Sequence, residues 1–247
     1  MRKTKTLILV AVLCAGLSVP SICSGYSFNL WGSMTGAKTL ALNPFLYGAI
    51  GPFDATLDLV AGYGVSDRLD VYADLAGLYY DGFGALSYSG SWVMPRFDLG
   101  ANNILALSVG ESFDSSTGAA SFYLWPQYHF FWENDKFALE FNGGVNIPLD
   151  APETSSALLF FAPVYKILDG TFHVFCEIDP SYIASGVDKG FDLTLLPGFW
   201  FGFGEEALHQ FSIGVSVGGW WNDGKLNGRP SYTWNIWYWT TFSLGGE

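Results

Sequence analysis

The chain has 247 residues; half are hydrophobic and 18% aromatic, but only 14% are charged, where a water-soluble domain carries about a quarter. Its formal net charge of −12 argues against a nucleic-acid partner, whose phosphates need Lys and Arg. Past the first 25 residues no run supplies the roughly 18 consecutive apolar residues of a membrane helix, so the apolar residues must be spread by alternation, as in a barrel wall with one apolar and one polar face.

The first 25 residues stand apart. Arg2, Lys3 and Lys5 precede the apolar run from Leu7 to Leu17, and small residues follow around Ser21 to Gly25. That is the order of a secretory signal peptide, so residues 1–25 are read as a leader and 26–247 as one barrel domain. The competing reading, an uncleaved anchor, is disfavoured because the run is short for a span. Pro20, Ser21 and Ile22 before Cys23 fit a lipoprotein signal poorly. Loss of the leader removes three positive charges and no negative ones, taking the net charge from −12 to −15. Only Cys176 then remains, so no intrachain disulfide can form, and it is read as a small hydrophobe within a strand.

Twelve alternating runs follow, predicted as strands over 38–48, 54–64, 69–80, 91–101, 104–113, 120–133, 137–147, 156–167, 171–183, 190–202, 209–221 and 231–243. Each is near or above the roughly 9–11 residues of a tilted membrane strand. In 137–147, Phe137, Leu139, Phe141, Val145 and Ile147 share one face, and Ala138, Glu140, Asn142 and Asn146 the other. In 209–221, Phe211, Ile213, Val215 and Val217 oppose Ser212, Gly214 and Ser216. Period two gives each face its own solvent.

The connections alternate in length. Short ones, rich in turn formers, lie at Val65-Ser66-Asp67-Arg68, Asn102-Asn103, Asn134-Asp135-Lys136, Leu168-Asp169-Gly170 and near Gly204-Glu205-Glu206. Longer ones are expected at 81–90, 114–119, 148–155, 184–189 and 222–230, the last holding Asp223, Lys225 and Arg229. Outer-membrane barrels have short periplasmic turns and longer outer loops, which puts both termini in the periplasm and requires an even strand count. The predicted fold is an all-β, up-and-down antiparallel transmembrane barrel of about twelve strands, with ten or fourteen as alternatives.

Proline poses a difficulty. Pro95, Pro126, Pro163 and Pro197 each fall inside a predicted strand, about seven residues before the next short turn, with an aromatic two positions on (Phe97, Tyr128, Tyr165, Phe199); Pro180 and Tyr182 repeat the pair. A proline cannot donate to the ladder, and every strand of a closed barrel is paired on both sides. A bulge or local gap at similar height on alternate strands is the favoured resolution, with some of these strands split into two short ones as the alternative. Aromatics near strand ends (Tyr79, Tyr80, Phe130 to Trp132, Trp220, Trp221, Trp237 to Trp239) are read as membrane–water boundary residues.

The segment Tyr63-Gly64-Val65-Ser66-Asp67-Arg68-Leu69-Asp70-Val71 resembles the strand–turn–strand unit of porin-like outer-membrane barrels, most of all those grouped under the meta-pathway of phenol degradation. The last strand, Tyr232 to Phe242 with Trp234, Ile236 and Tyr238 on one face, is similar to the terminal strand that barrel-assembly machinery reads, although it ends Ser-Leu-Gly-Gly-Glu rather than on an aromatic. The resemblance implies uptake of small molecules, hydrophobic ones included.

With the apolar face outward, Asp58, Asp70, Asp74, Asp98, Glu140, Glu177, Asp179 and Asp192 point into the lumen, with Arg96 and Lys166 as the basic residues among them. Charge on the lipid side costs several kcal/mol at mid-bilayer, and an acidic lumen favours cations. The competing reading is a plugged barrel whose carboxylates are hydrogen-bonded and conduct nothing. No metal-ligand spacing, phosphate loop or nucleophile elbow is present, so neither cofactor nor metal is expected. His129 and His173 fall on the inner face, and His209 and Ser212 on opposite faces of a strand, which leaves the lipid-hydrolase reading without a Ser–His pair. The leading expectation is a porin-like channel for a small solute with mild cation preference, in an outer membrane, with the lipid bilayer and the assembly machinery as partners and no catalysis. The alternative is a non-conducting structural or recognition barrel.

Overall fold

The computed structural model describes residues 34–244 apart from 52, 115–116, 169–170, 186–188, 205–207, 219–220, 223–224 and 227–230. The leader and the residues up to 33 lie outside the described residues. So do Trp220, Asp223 and Arg229.

Period-two patterning yields long strands throughout: β1 (Thr39–Ala49), β2 (Ala55–Ser66), β3 (Leu69–Tyr80), β4 (Leu86–Gly100), β5 (Asn103–Asp114), β6 (Ala119–Glu133), β7 (Phe137–Pro148), β8 (Ser156–Leu168), β9 (Phe172–Ile183), β10 (Gly190–Phe203) and β11 (His209–Gly218). A two-residue ribbon, β12 (Trp221–Asn222) and β13 (Lys225–Leu226), precedes the last long strand, β14 (Ser231–Ser243). Among the described residues the one helical element is a 3₁₀ turn at Pro152–Thr154. Each long strand pairs antiparallel with its sequence neighbour, β14 pairs with both β11 and β1, and β10 pairs with β11, so twelve strands close into an up-and-down barrel with no free edge. Closure removes the unpaired edge that an open sheet would present. A twelve-residue strand such as β2, rising about 3.3 Å per residue and tilted near 40°, covers about 30 Å along the axis, the thickness of a bilayer's hydrocarbon.

Most expected boundaries hold within two residues. β4 starts at Leu86 rather than 91, because Ser87 and Tyr88 continue the ladder against Tyr79 and Leu78 of β3. β11 ends at Gly218 instead of running to 221, and Trp221–Asn222 is a separate short strand that meets β10 at Asp192. The tight turn expected at Asn102-Asn103 is centred on Ala101 and Asn102, both with positive φ (52° and 62°), the geometry of a hairpin turn that follows sheet twist. Asn103 instead opens β5, and its side-chain amide donates to the carbonyls of Gly100 and Ala101 at 2.9 Å each.

The prolines give gaps rather than bulges. Around Pro95 the β4–β5 ladder runs Val93↔Val109 and then Arg96↔Ala106, the same register with two positions left unpaired. The same happens at Pro126 toward β7, Pro163 toward β9, Pro197 toward β11, and Pro44 at the closing seam toward β14. On its other side each of these strands stays continuously paired through the proline, as at Pro163↔Leu139. A missing N–H deletes the ladder bond on the side it would have faced, and the register survives. Of the two forms expected at the prolines, the local gap is the one observed and the bulge is not, and none of these proline-bearing strands is split in two. The register shifts lie elsewhere, notably at 75–76 of β3, between the pairs Val60↔Asp74 and Asp58↔Gly77.

The two faces differ as alternation requires. Outside, Val93, Phe97, Leu99, Leu105, Leu107 and Val109 of β4 and β5 are exposed, and Pro126, Pro163 and Pro197 stand in the same outer rows. Inside, Asn43, Asp70, Tyr72, Met94, Arg96, Gln127 and Trp239 are buried. Close approach on the inner face depends on glycine in three cross-strand pairs. Tyr72 faces Gly62, Tyr123 faces Gly110 and Phe175 faces Gly198. A Cβ at each glycine would fall 2.2, 2.6 and 2.4 Å from the ring or hydroxyl opposite. In the β3–β4 connection, Asp81 Oδ1 accepts the N–H groups of Phe83, Gly84 and Ala85 at 2.8, 3.0 and 3.0 Å. These donors, Phe83's first, hold its carboxyl below the usual carboxylate range by stabilising the charged form.

Candidate functional site

The inner face has two levels. The lower one, nearest the short turns and both ends of the described chain, is built on Asp70 at the start of β3. Arg96 of β4, its cross-strand partner, donates from Nε to Asp70 Oδ1 at 2.8 Å and from Nη2 to Oδ2 at 2.6 Å. Both side chains are fully buried, and the fork geometry is the strong bidentate form. The guanidinium carbon also lies 4.6 Å from the centre of the Tyr72 ring. The segment before β1 reaches in to join this group: the Thr35 N–H donates to Asp70 Oδ2 at 2.9 Å, and the Thr35 and Tyr72 hydroxyls are hydrogen-bonded. Tyr72 packs on Trp239 at 5.8 Å and Trp239 on Trp237 at 5.6 Å between ring centres. We call this cluster the floor.

Above it lies a cavity of about 140 Å³. Its wall passes from Trp237 of β14 through Asn43 and Phe45 of β1, Asp58 and Val60 of β2, Trp92 and Met94 of β4 and Ser108 of β5 to Tyr123, Trp125 and Gln127 of β6. Asp74 of β3 sits in the register between Val60 and Trp92. Cross-strand pairing sets this arc: Phe45 faces both Asp58 and Trp237, and Ser108 faces Trp125. Gln127 anchors the far side, donating to Ser108 Oγ at 2.7 Å and accepting from Asn142 Nδ2 at 2.9 Å, with His129 Nε2 at 3.0 Å from the same Gln127 oxygen.

The sequence-predicted residues divide among several places. Asp70 and Arg96 meet in the floor. Asp58 lines the cavity and Asp74, buried, accepts the Ala76 N–H at 3.2 Å. Neither has an ion-pair partner among the described residues. Asp98 is half-buried at the end of β4, where its Oδ1 braces the turn by accepting the Gly100 N–H at 2.8 Å. Glu140 and Glu177 are buried on β7 and β9, and Asp179 is half-buried on β9. Asp192 lies far from the floor, near the start of β10, with its Oδ1 buried and without a hydrogen-bond partner among the described residues. Lys166 Nζ pairs with Glu133 Oε2 at 2.7 Å, a partner that the lumen list omitted. His129 and His173 are buried, His173 stacked on Trp200 at 4.5 Å, and His209 Nδ1 lies 2.7 Å from the Tyr238 hydroxyl while Ser212 is buried inside. Among the described residues no group of three His, Cys, Asp or Glu is placed to hold a metal ion.

The sequence reading puts Trp237 and Trp239 in a boundary belt and gives no role to the other cavity aromatics, Phe45, Trp92, Tyr123 and Trp125. Trp237 and Trp239 are buried inside the barrel, which corrects that reading for both. Strand parity held the signal: with Trp234, Ile236 and Tyr238 outside, the odd-numbered residues of β14 must face in. Asn43 was missed for a different reason, since nothing in a single strand marks which inner polar residue will border a void.

No protein-family model matches the chain, and no curated protein matches it. Solved structures do. An outer membrane channel from Pseudomonas putida F1 superposes with a TM-score of 0.56 at 11% identity, over 90% of this chain and 100% of that one. The NanC porin superposes with a TM-score of 0.54 at 8% identity, over 83% of this chain and 100% of that one. At such identities the likeness is one of fold: this chain has the closed-barrel architecture found in bacterial outer-membrane channels and porins.

Proposed function

We propose that the chain is an outer-membrane channel for a small solute, with a mild preference for cations and with both termini in the periplasm. The apolar outer wall, of hydrocarbon height, supports residence in a bilayer. Short connections at one end and longer ones at the other support the orientation. In this reading β14 is the strand offered to the assembly machinery. The observation that carries the proposal is the charge arrangement inside. Arg96 and Lys166 are engaged by Asp70 and Glu133, whereas Asp58 and Asp74 beside the cavity have no basic partner among the described residues. A lumen with engaged bases and unengaged acids favours cations over anions. Catalysis has no part in this reading, since His209 is turned to Tyr238 and away from Ser212.

Refolded protein in a planar bilayer is expected to give discrete conductance steps. A second reading, a non-conducting barrel for structure or recognition, draws on the full burial of Asp70, Arg96 and Glu177. Absence of current across several salts would favour it and remove the channel.

A further inference from the structure

The floor holds an organic cation: the Arg96 guanidinium, fixed between the Asp70 carboxylate and the Tyr72 ring. The cavity directly above repeats the carboxylate and the rings and supplies no cation of its own. Asp58 provides the carboxylate; Phe45, Trp92, Tyr123, Trp125 and Trp237 provide aromatic surface; among the described residues no lining side chain is basic. Asn43 adds an independent sign of a missing partner. It is 2% exposed, lines the cavity, and its Oδ1 accepts no hydrogen bond among the described residues. A buried acceptor left unmade costs free energy until a donor arrives.

We propose that this cavity binds a small organic ammonium ion, a primary amine carrying a compact apolar or aromatic body. Its N–H groups would be shared by Asp58 and the Asn43 oxygen, and its charge and body would lie against the tryptophan and tyrosine faces, the arrangement by which aromatic cages take ammonium ligands. A carboxylate-bearing solute is disfavoured, because no base on the wall would meet it. A neutral hydrocarbon is disfavoured because it would cover Asp58 and Asn43 without bonding either. The irregularity of β3 at 75–76, between the register positions of Asp58 and Asp74, is the kind of local bend that re-aims side chains beside functional sites. As a statement of solute class the inference rests on the channel reading; binding itself can be read without it.

The test is isothermal titration of the refolded protein in nonionic detergent, at about pH 8, where ordinary carboxylates are ionised and amines protonated. The probes are benzylammonium chloride, benzyl alcohol and sodium benzoate, which share one ring and differ in charge. Benzylammonium is expected to bind about tenfold more tightly than benzyl alcohol, with no heat from benzoate, and Asp58→Asn is expected to remove the tenfold preference. Equal binding of benzylammonium and benzyl alcohol by the unaltered protein, or a preference for benzoate, would overturn the proposal with no variant needed. So would an Asp58→Asn barrel, folded by circular dichroism, that retains the full preference. Binding without any current would leave this site standing and remove the channel, and current without the ammonium preference would do the reverse.

Discussion

The floor and the cavity are built from the same residue types one level apart, yet they differ in what is satisfied. In the floor, Asp70 meets a guanidinium with both oxygens and also accepts the Thr35 N–H. In the cavity, among the described residues, Asp58 has no basic partner and Asn43 Oδ1 has no donor. The first arrangement is that of a structural element, where a charge is tolerable inside because its partners are fixed. The second is that of a surface waiting for something mobile. A lumen's acidic residues are therefore not equivalent, and counting them overstates how many could act on a passing ion.

The contrast can be broken most forcefully at the floor. Arg96→Met strands the Asp70 carboxylate in a buried site and is expected to lower unfolding stability by about 3–5 kcal/mol, measured by urea titration of the refolded barrel. Adding Asp70→Leu should recover most of that loss. At the cavity, Asp58→Asn breaks no ion pair and is expected to change stability by less than about 1 kcal/mol; a loss as large as that of Arg96→Met would erase the distinction between the levels.

The wall offers a subtler check. Pro163→Ala supplies an N–H toward β9, where the ladder now skips from Phe161↔Ile178 to Val164↔Phe175. A gain of about 1 kcal/mol and slower amide exchange at that height are expected, whereas a loss would mean that the gap serves the structure. Smallest of all, Ala101→Gly relieves a side chain held at φ 52° and should add about 0.5 kcal/mol.

Strand positions and barrel closure were legible because period-two alternation and turn residues are local signals, and β7, expected over 137–147, extends from Phe137 to Pro148. The start of β4 was not, since Ser87, Ser89 and Gly90 are weak strand formers that join the sheet only because β3 is there to pair with. The burial of Asp70, Asp74, Arg96, Glu140 and Glu177 agrees with strand parity, but parity does not give their partners. That Asp70 would be taken by Arg96, or Lys166 by Glu133, depends on register between strands, which no single strand encodes. For that reason neutralising Asp70 would chiefly disturb the floor and is a poor test of selectivity. The cavity itself lies between seven strands, β14 and β1 to β6, and is a property of their assembly.

The ion selectivity of single channels addresses the central claim most directly. In a bilayer separating two KCl concentrations at about pH 8, well above the ordinary carboxylate range, the reversal potential is expected to have the sign of cation preference and to move toward zero when Asp58 and Asp74 are both changed to Asn. An anion-selective current, or a reversal potential indifferent to that double change, would contradict it.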